Sequence, residues 1–147
     1  MRVPTAVTLI LTILAYAVST FGVQGASHFW LNAGHFAGLT IMREPPLIPL
    51  GFLAMIIQGT IFAALFPVFN RGGSPVWNAL RFSWALGAFL ASYITLGEAG
   101  KYAVGSVAAW IAVELPVAAV QYTAFGLLLG LIHRRAAAGM ASAPTMA

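Results

Sequence analysis

Four long apolar runs dominate the sequence, at residues 3–24, 47–69, 79–96 and 106–132. A helix rises about 1.5 Å per residue, so each run is long enough to cross a hydrocarbon core of about 30 Å. Lipid cannot hydrogen-bond to an open backbone, so a spanning segment is either a helix or a strand of a closed barrel. None of the runs alternates apolar and polar residues. The sequence therefore predicts four transmembrane helices.

The composition indicates a protein whose main partner is the lipid bilayer. Hydrophobic residues make up 61% of the chain and charged residues only 7%, against roughly 25% charged residues in soluble domains. The net charge of +4 is better explained by orientation in the membrane than by nucleic acid, which we do not expect as a partner. The chain has no cysteine, no glycine-rich phosphate loop and no His-Glu-x-x-His motif. We therefore predict no cofactor and no metal site.

The predicted fold is an all-α membrane protein, an up-down bundle of four transmembrane helices. Residues 1–135 form one domain, because no linker separates the four runs. Residues 136–147 are small, rich in alanine and uncharged. We expect them to be a disordered cytoplasmic tail.

The first outer loop, residues 25–46, is long for so small a chain, and its middle is not typical of a turn. His28, His35 and Met42 recur every seven residues there. That spacing predicts either a short interfacial helix with Ser27 as its N-cap or a continuation of the first helix beyond the membrane.

The basic residues predict the orientation of the bundle. The first run is too long for the apolar part of a signal peptide, so we expect a retained helix. Placing the N-terminus inside puts most basic residues on the cytoplasmic side, as the positive-inside rule requires. That side then holds Arg2, Arg71, Arg81, Arg134 and Arg135, and the outer side holds Arg43 and Lys101. We predict a multi-pass protein of a bacterial inner membrane with both termini in the cytoplasm.

Small residues recur at helical spacing in all four runs. Ser83, Gly87 and Ala91 form one such row in the third run, and Gly126 and Gly130 stand four apart in the fourth. Small faces let helices approach closely in lipid. Two interpretations follow: ordinary packing inside one bundle, or a homodimer seam at the two glycines.

The fourth run carries a carboxylate, Glu114, followed closely by Pro116. An ionisable group within a membrane helix is costly and usually has a partner or a function. The proline cannot donate a backbone hydrogen bond and can kink the helix beside the carboxylate. Glu114 is then either structural, neutral or paired with Lys101 or Arg43, or functional as a proton acceptor or ligand anchor.

Most of the other unusual polar groups fall in the same, outer half of the predicted bundle. The predicted ligand-binding residues are Glu114, Gln58, Gln121, Tyr122, Glu98, Lys101, His28, His35 and Arg43. Glu98 and Lys101 are three apart and could form a local ion pair. The two outer histidines are about 10 Å apart along a helix, too far to share one metal ion.

Two motifs carry a resemblance to known proteins. Met42-Arg43-Glu44-Pro45-Pro46 leads into the second run, and the sequence 96–102 precedes Trp110-x-x-x-Glu114. With the four spans, this layout resembles small bacterial four-helix inner-membrane proteins, a group that implies no activity. Small multidrug transporters share the size and a membrane glutamate. Their glutamate lies in the first helix, and the first helix here has no acidic residue.

The leading functional prediction is a binding or accessory protein. It would hold a lipid-like or apolar small molecule, or a membrane partner, in an outer-half cavity near Glu114. The alternative is a small membrane enzyme acting on a lipophilic substrate, with Glu114 as base and His35 or Glu98 as its partner. A third prediction is a proton-coupled exporter that acts as a dimer or within a larger membrane complex.

Overall fold

The computed structural model describes residues 5–41, 43 and 45–141. Within these residues there are only helices and connecting turns: α1 (Ala6–Ala26), α2 (Ala33–Ala37), α3 (Ile48–Phe69), α4 (Pro75–Ser92) and α5 (Val107–Ala141). π-Helical turns at Ser27–Leu31 and Tyr93–Gly97 extend α1 and α4. Four stretches of the described chain are long and apolar enough to span a membrane: Ala6–Leu31, Ile48–Phe69, Pro75–Gly97 and Val107–Ala136. The prediction of an all-α protein with four such helices is confirmed.

Local sequence signals set several helix ends. The hydroxyl of Thr5 accepts a hydrogen bond from the backbone N–H three residues later and caps α1. Ser74 caps α4 in the same way, and Pro75 occupies the first turn, where its missing N–H costs nothing. Gly72 and Gly73 have φ values of 73° and 70°. Only glycine adopts that conformation without strain, so these two residues allow the chain to reverse between α3 and α4.

One boundary of α4 and one of α5 differ clearly from the prediction. α4 begins at Pro75 rather than at residue 79, because the Ser-Pro pair is itself a helix start. α5 does not end at Ile132 but continues to Ala141. Alanine has the highest helix propensity, so the alanines after Arg135 extend the helix. The predicted disordered tail is therefore helical over 136–141, and its remainder lies outside the described residues.

The connection between α1 and α3 contains both a continuation of the first helix and a short separate helix. The first helix continues to Leu31 through a π-helical turn, and α2 then forms a separate helix of five residues. No proline lies between Gln24 and Leu31, so nothing stops the helix at the predicted boundary. The prediction that Ser27 is an N-cap is wrong, because Ser27 lies inside the continuous helix. Its Oγ instead accepts a hydrogen bond from Nδ2 of Asn32 at 2.9 Å.

The four long helices pack in the order α3, α1, α5, α4. α3 and α4 follow one another in sequence but share little contact, mainly between phenylalanine rings. The ring centroids of Phe62, Phe66 and Phe69 lie 6.2, 5.4 and 5.2 Å from that of Phe82. Residues 48–54 of α3 have no buried side chain. The start of α3 thus packs little against the rest of the bundle.

The two ends of the bundle differ in what fills them. The "Arg71 end" carries the turn between α3 and α4, and the "Lys101 end" carries the other two connections. Phe66, Phe125 and Leu129 are fully buried near the Arg71 end within a larger aromatic cluster. At the Lys101 end a second cluster joins α2 and the α4–α5 connection to α5, through Phe36, Leu39, Val104 and Trp110.

The glycines of α5 face α4 of the same chain. A Cβ on Gly126 would lie 3.1 Å from the Cα of Leu80, and one on Gly130 would lie 2.5 Å from the Cα of Val76. Ser83, Gly87 and Ala91 on the facing row of α4 are buried. The first interpretation of these small residues is therefore confirmed. The proposed homodimer seam is wrong in this structure, because its two glycines are already covered.

The close approach of α4 and α5 predicts a large effect of Gly130→Ala. The added methyl group must push against the backbone at Val76, which we expect to cost about 1–3 kcal/mol of stability. Gly51→Ala in α3 is the matched control, because no atom lies within 4 Å of its Cβ position. Alanine should be neutral or slightly stabilising there, by up to about 1 kcal/mol. Equal unfolding free energies of the two variants in detergent micelles would contradict this helix contact.

Candidate functional site

A cavity of about 350 Å³ lies among the helices toward the Lys101 end. α1, α3, α4, the second π-helical turn and α5 all contribute to its wall. The polar part of that wall is formed by side chains that include Tyr16, Gln58, Thr95, Glu98, Glu114 and Gln121. So many polar groups around one space are unusual in helices whose outer surface is apolar.

Glu114 is the more deeply buried of the two carboxyl groups in the cavity wall. Its side chain is only 6% exposed, and Trp110, one turn earlier on α5, is also buried and lines the same space. α5 continues without interruption through Pro116. Among the residues that the structure describes, no group hydrogen-bonds to the carboxyl group of Glu114, and neither Lys101 nor Arg43 pairs with it. The carboxyl group therefore meets the cavity without a protein partner.

A tyrosine pair connects α1, α3 and α5 across one wall. The hydroxyl of Tyr16 donates to Oε1 of Gln58 at 2.6 Å, and the hydroxyl of Tyr122 lies 3.5 Å from that of Tyr16. The ring of Tyr122 lies directly against Gly87 of α4, where any Cβ would overlap it. Ser83 also donates to the backbone oxygen of Tyr122 at 2.6 Å. These contacts fix the tyrosines and the position of Gln58.

A second set of hydrogen bonds joins α1 to α5. Nε2 of Gln24 donates to Oε1 of Gln121 at 2.8 Å, and Nε2 of Gln121 donates to Oγ1 of Thr20 at 3.0 Å. All three side chains line the cavity. Both the donor and the acceptor of the Gln121 amide are thus used inside the protein.

Glu98 and His28 stand where the cavity approaches the Lys101 end. Burial raises the pKa of the Glu98 carboxyl group, and the positive charge of Lys101 opposes part of that rise. The ring of His28 stacks on Phe36, with centroids 3.7 Å apart. Nδ1 of His28 lies 2.9 Å from the backbone oxygen of Gln24. That oxygen can only accept, so Nδ1 donates, and Nε2 of a neutral ring remains an acceptor.

Three of the predicted site residues do not line the cavity: Lys101, His35 and Arg43. The ammonium group of Lys101 donates to the hydroxyl of Tyr93 at 3.2 Å and forms no ion pair with Glu98, contrary to expectation. His35 lies beside Trp110, with ring centroids 6.2 Å apart. Arg43 is exposed.

The other six predicted ligand-binding residues all line one cavity: His28, Gln58, Glu98, Glu114, Gln121 and Tyr122. Sequence reasoning missed Tyr16, Gln24 and Thr95. Tyr16 lies one turn from both Thr12 and Ser19, which belong to the small-residue face of α1, so its inward direction could have been inferred.

Comparison with protein-family models, curated proteins and solved structures gives no match for this chain. In the described residues, no group of three or more His, Cys, Asp or Glu side chains is placed to hold a metal ion.

The contact between Gln24 and Gln121 predicts an energetic coupling between α1 and α5. Hydrogen bonds between membrane helices contribute about 0.6 kcal/mol on average and up to about 1.7 kcal/mol. A double-mutant cycle with Gln24→Leu, Gln121→Leu and the double variant should give a coupling in that range. Reversible unfolding in lipid–detergent bicelles would measure it. Additive effects of the two substitutions would show that the amides do not bond in the folded protein.

Proposed function

We propose that this chain is a multi-pass protein of a bacterial cytoplasmic membrane that binds an amphiphilic small molecule. The polar end of the ligand occupies the cavity and is anchored at Glu114. The observation that carries the proposal is a buried carboxyl group that faces a cavity and has no protein partner among the described residues.

The energetics of burial support a ligand at this position. A carboxyl group removed from water costs free energy unless hydrogen bonds replace its hydration. The amides of Gln121 and Gln24 bond to each other, and the hydroxyl of Tyr16 bonds to Gln58. These side chains build the wall, and Glu114 remains for a ligand.

The shape of the site supports an amphiphile rather than a wholly polar ligand. A second cavity, of about 190 Å³, lies between α4 and α5, with Leu115 and Ala88 in its almost entirely apolar wall. It shares Ala91, Ala118 and Tyr122 with the polar cavity. A polar head beside Glu114 could therefore continue into an apolar chain along the α4–α5 groove. The polar cavity, of about 350 Å³, falls within the range of roughly 300–1,000 Å³ that is typical of small-molecule sites, and the apolar cavity extends it.

We still predict that a ligand entering the cavity contacts Lys101, His35 and Arg43. They stand at the Lys101 end but outside the cavity wall. Glu98 and His28 do line it.

The proposed orientation can be tested because the native chain has no cysteine. Ser74→Cys and Ser106→Cys each place one thiol at an exposed position, at the Arg71 end and the Lys101 end respectively. With both termini in the cytoplasm, a membrane-impermeant maleimide added to intact cells should label residue 106 and spare residue 74. If only residue 74 is labelled, the protein has the opposite orientation and the proposal is wrong.

Occupation of the cavity can be tested with a substitution that fills it. Ala118 lines both cavities, so Ala118→Phe should exclude the ligand and lower bound mass in native mass spectrometry by roughly tenfold or more. Ala112→Phe is the matched control, because Ala112 is exposed on the same helix and lines neither space. A bound amphiphile that survives Ala118→Phe in a folded protein would place binding elsewhere.

A second candidate function is acid–base catalysis on a lipophilic substrate. It is favoured by the presence of two carboxyl groups, Glu98 and Glu114, in the wall of one cavity. Two carboxyl groups in different environments can divide the roles of acid and base. His35, the other predicted partner, does not line the cavity. Under this function, membranes that contain the native protein accumulate a lipid-soluble product. Glu114→Gln should keep ligand binding and abolish that product.

A further inference from the structure

We infer that the head group held beside Glu114 is a protonated primary amine on a single apolar chain. This inference rests on the proposed amphiphile site and specifies its ligand class. It comes from three acceptors in one cavity, the carboxyl groups of Glu98 and Glu114 and the hydroxyl of Thr95, with no basic Lys or Arg side chain in the described wall.

The charges around the cavity favour a cation. Glu98 and Glu114 both line it, and the only other His, Lys, Arg, Asp or Glu side chain in its wall, among the described residues, is His28. Lys101 is turned toward Tyr93, with its ammonium 4.9 Å from the centre of that ring. A phosphate or carboxylate head would meet two carboxyl groups without compensation, which is strongly unfavourable away from water. A positive head offsets them.

The hydrogen-bonding groups favour an amine with N–H bonds. Thr95 is only 2% exposed, and its Oγ1 has no partner among the described residues. Its usual alternative, a bond to the backbone of its own helix, is not made. A primary ammonium has three N–H donors, which matches the two carboxyl groups and this hydroxyl. A quaternary ammonium has none and would leave all three acceptors unpaired.

The aromatic walls suit the same head. Tyr122 and Trp110 are both buried and both line the cavity. Aromatic rings attract cations through their negative faces, and the attraction grows when water is excluded. The chain of the amine would then follow the apolar groove between α4 and α5, past Leu115.

The test compares three ligands of equal chain length: octylamine, octyltrimethylammonium and octan-1-ol. Their binding to the native protein in phosphatidylcholine nanodiscs is measured by calorimetry. We expect octylamine to bind roughly tenfold more tightly than each of the others, because charge-assisted hydrogen bonds are the strong ones. Glu114→Gln should remove the preference of the site for octylamine over octan-1-ol. Phosphatidylethanolamine nanodiscs should leave octylamine binding unchanged, and weaker binding there would overturn the single-chain assignment, because a two-chain lipid would then compete for the site.

Thr95→Val supplies a milder variant that keeps the shape of the wall. It should weaken octylamine binding several-fold, because one hydrogen bond typically contributes about 1 kcal/mol. Octan-1-ol binding should stay nearly unchanged. Thr60→Val is its control, because Thr60 is exposed on α3 and bonds within its own helix.

The outcomes separate the two proposals. Equal affinities for octylamine and octan-1-ol would overturn the amine assignment and leave an amphiphile site in place. Equal affinities for octylamine and octyltrimethylammonium would overturn the role of the N–H donors. If no ligand binds and the native protein retains no bound mass, both the amine assignment and the proposed function fail.

Discussion

The contact between α4 and α5 requires side chains small enough for two helices to approach closely. Lipid tails are as apolar as the helix surfaces, so packing and hydrogen bonds must supply the attraction. Gly126 and Gly130 allow the approach, and Ser83 bonds to the backbone of Tyr122 across it. Because Gly87 has no side chain, the ring of Tyr122 can pack directly against its backbone. The position of that tyrosine, and with it the wall of the cavity, follows from how closely these helices pack.

The division of the bundle into two halves follows from what the helices carry at each depth. Toward the Arg71 end, fully buried aromatic rings such as Phe66 and Phe125 pack between the helices. Toward the Lys101 end, amides, hydroxyls and carboxyl groups replace them, and α3 packs loosely at its start. Polar groups with partners hold the helices at fixed distances, and Glu114 has none among the described residues. The proposed binding function would use this carboxyl group.

The sequence predicts the four helices well, because hydropathy over a long run leaves few alternatives in lipid. It also brings Gln58, Glu114 and Gln121 together, since counting along each helix gives their depth. It does not predict that Lys101 turns away from the cavity toward Tyr93. That direction depends on a π-helical turn, Tyr93–Gly97, which changes the register of the residues after it. The inward face of Gln24 depends on helix rotation, which hydropathy determines only weakly.

The most direct measurement is an experimental structure of the protein in nanodiscs made from its native membrane lipids. The proposed site predicts elongated density in the cavity, with its polar end within hydrogen-bonding distance of the Glu114 carboxyl group and its apolar end between α4 and α5. A closed cavity in which Glu114 bonds to a side chain or backbone group of the protein itself would contradict it. In that case Glu114 would be a structural residue.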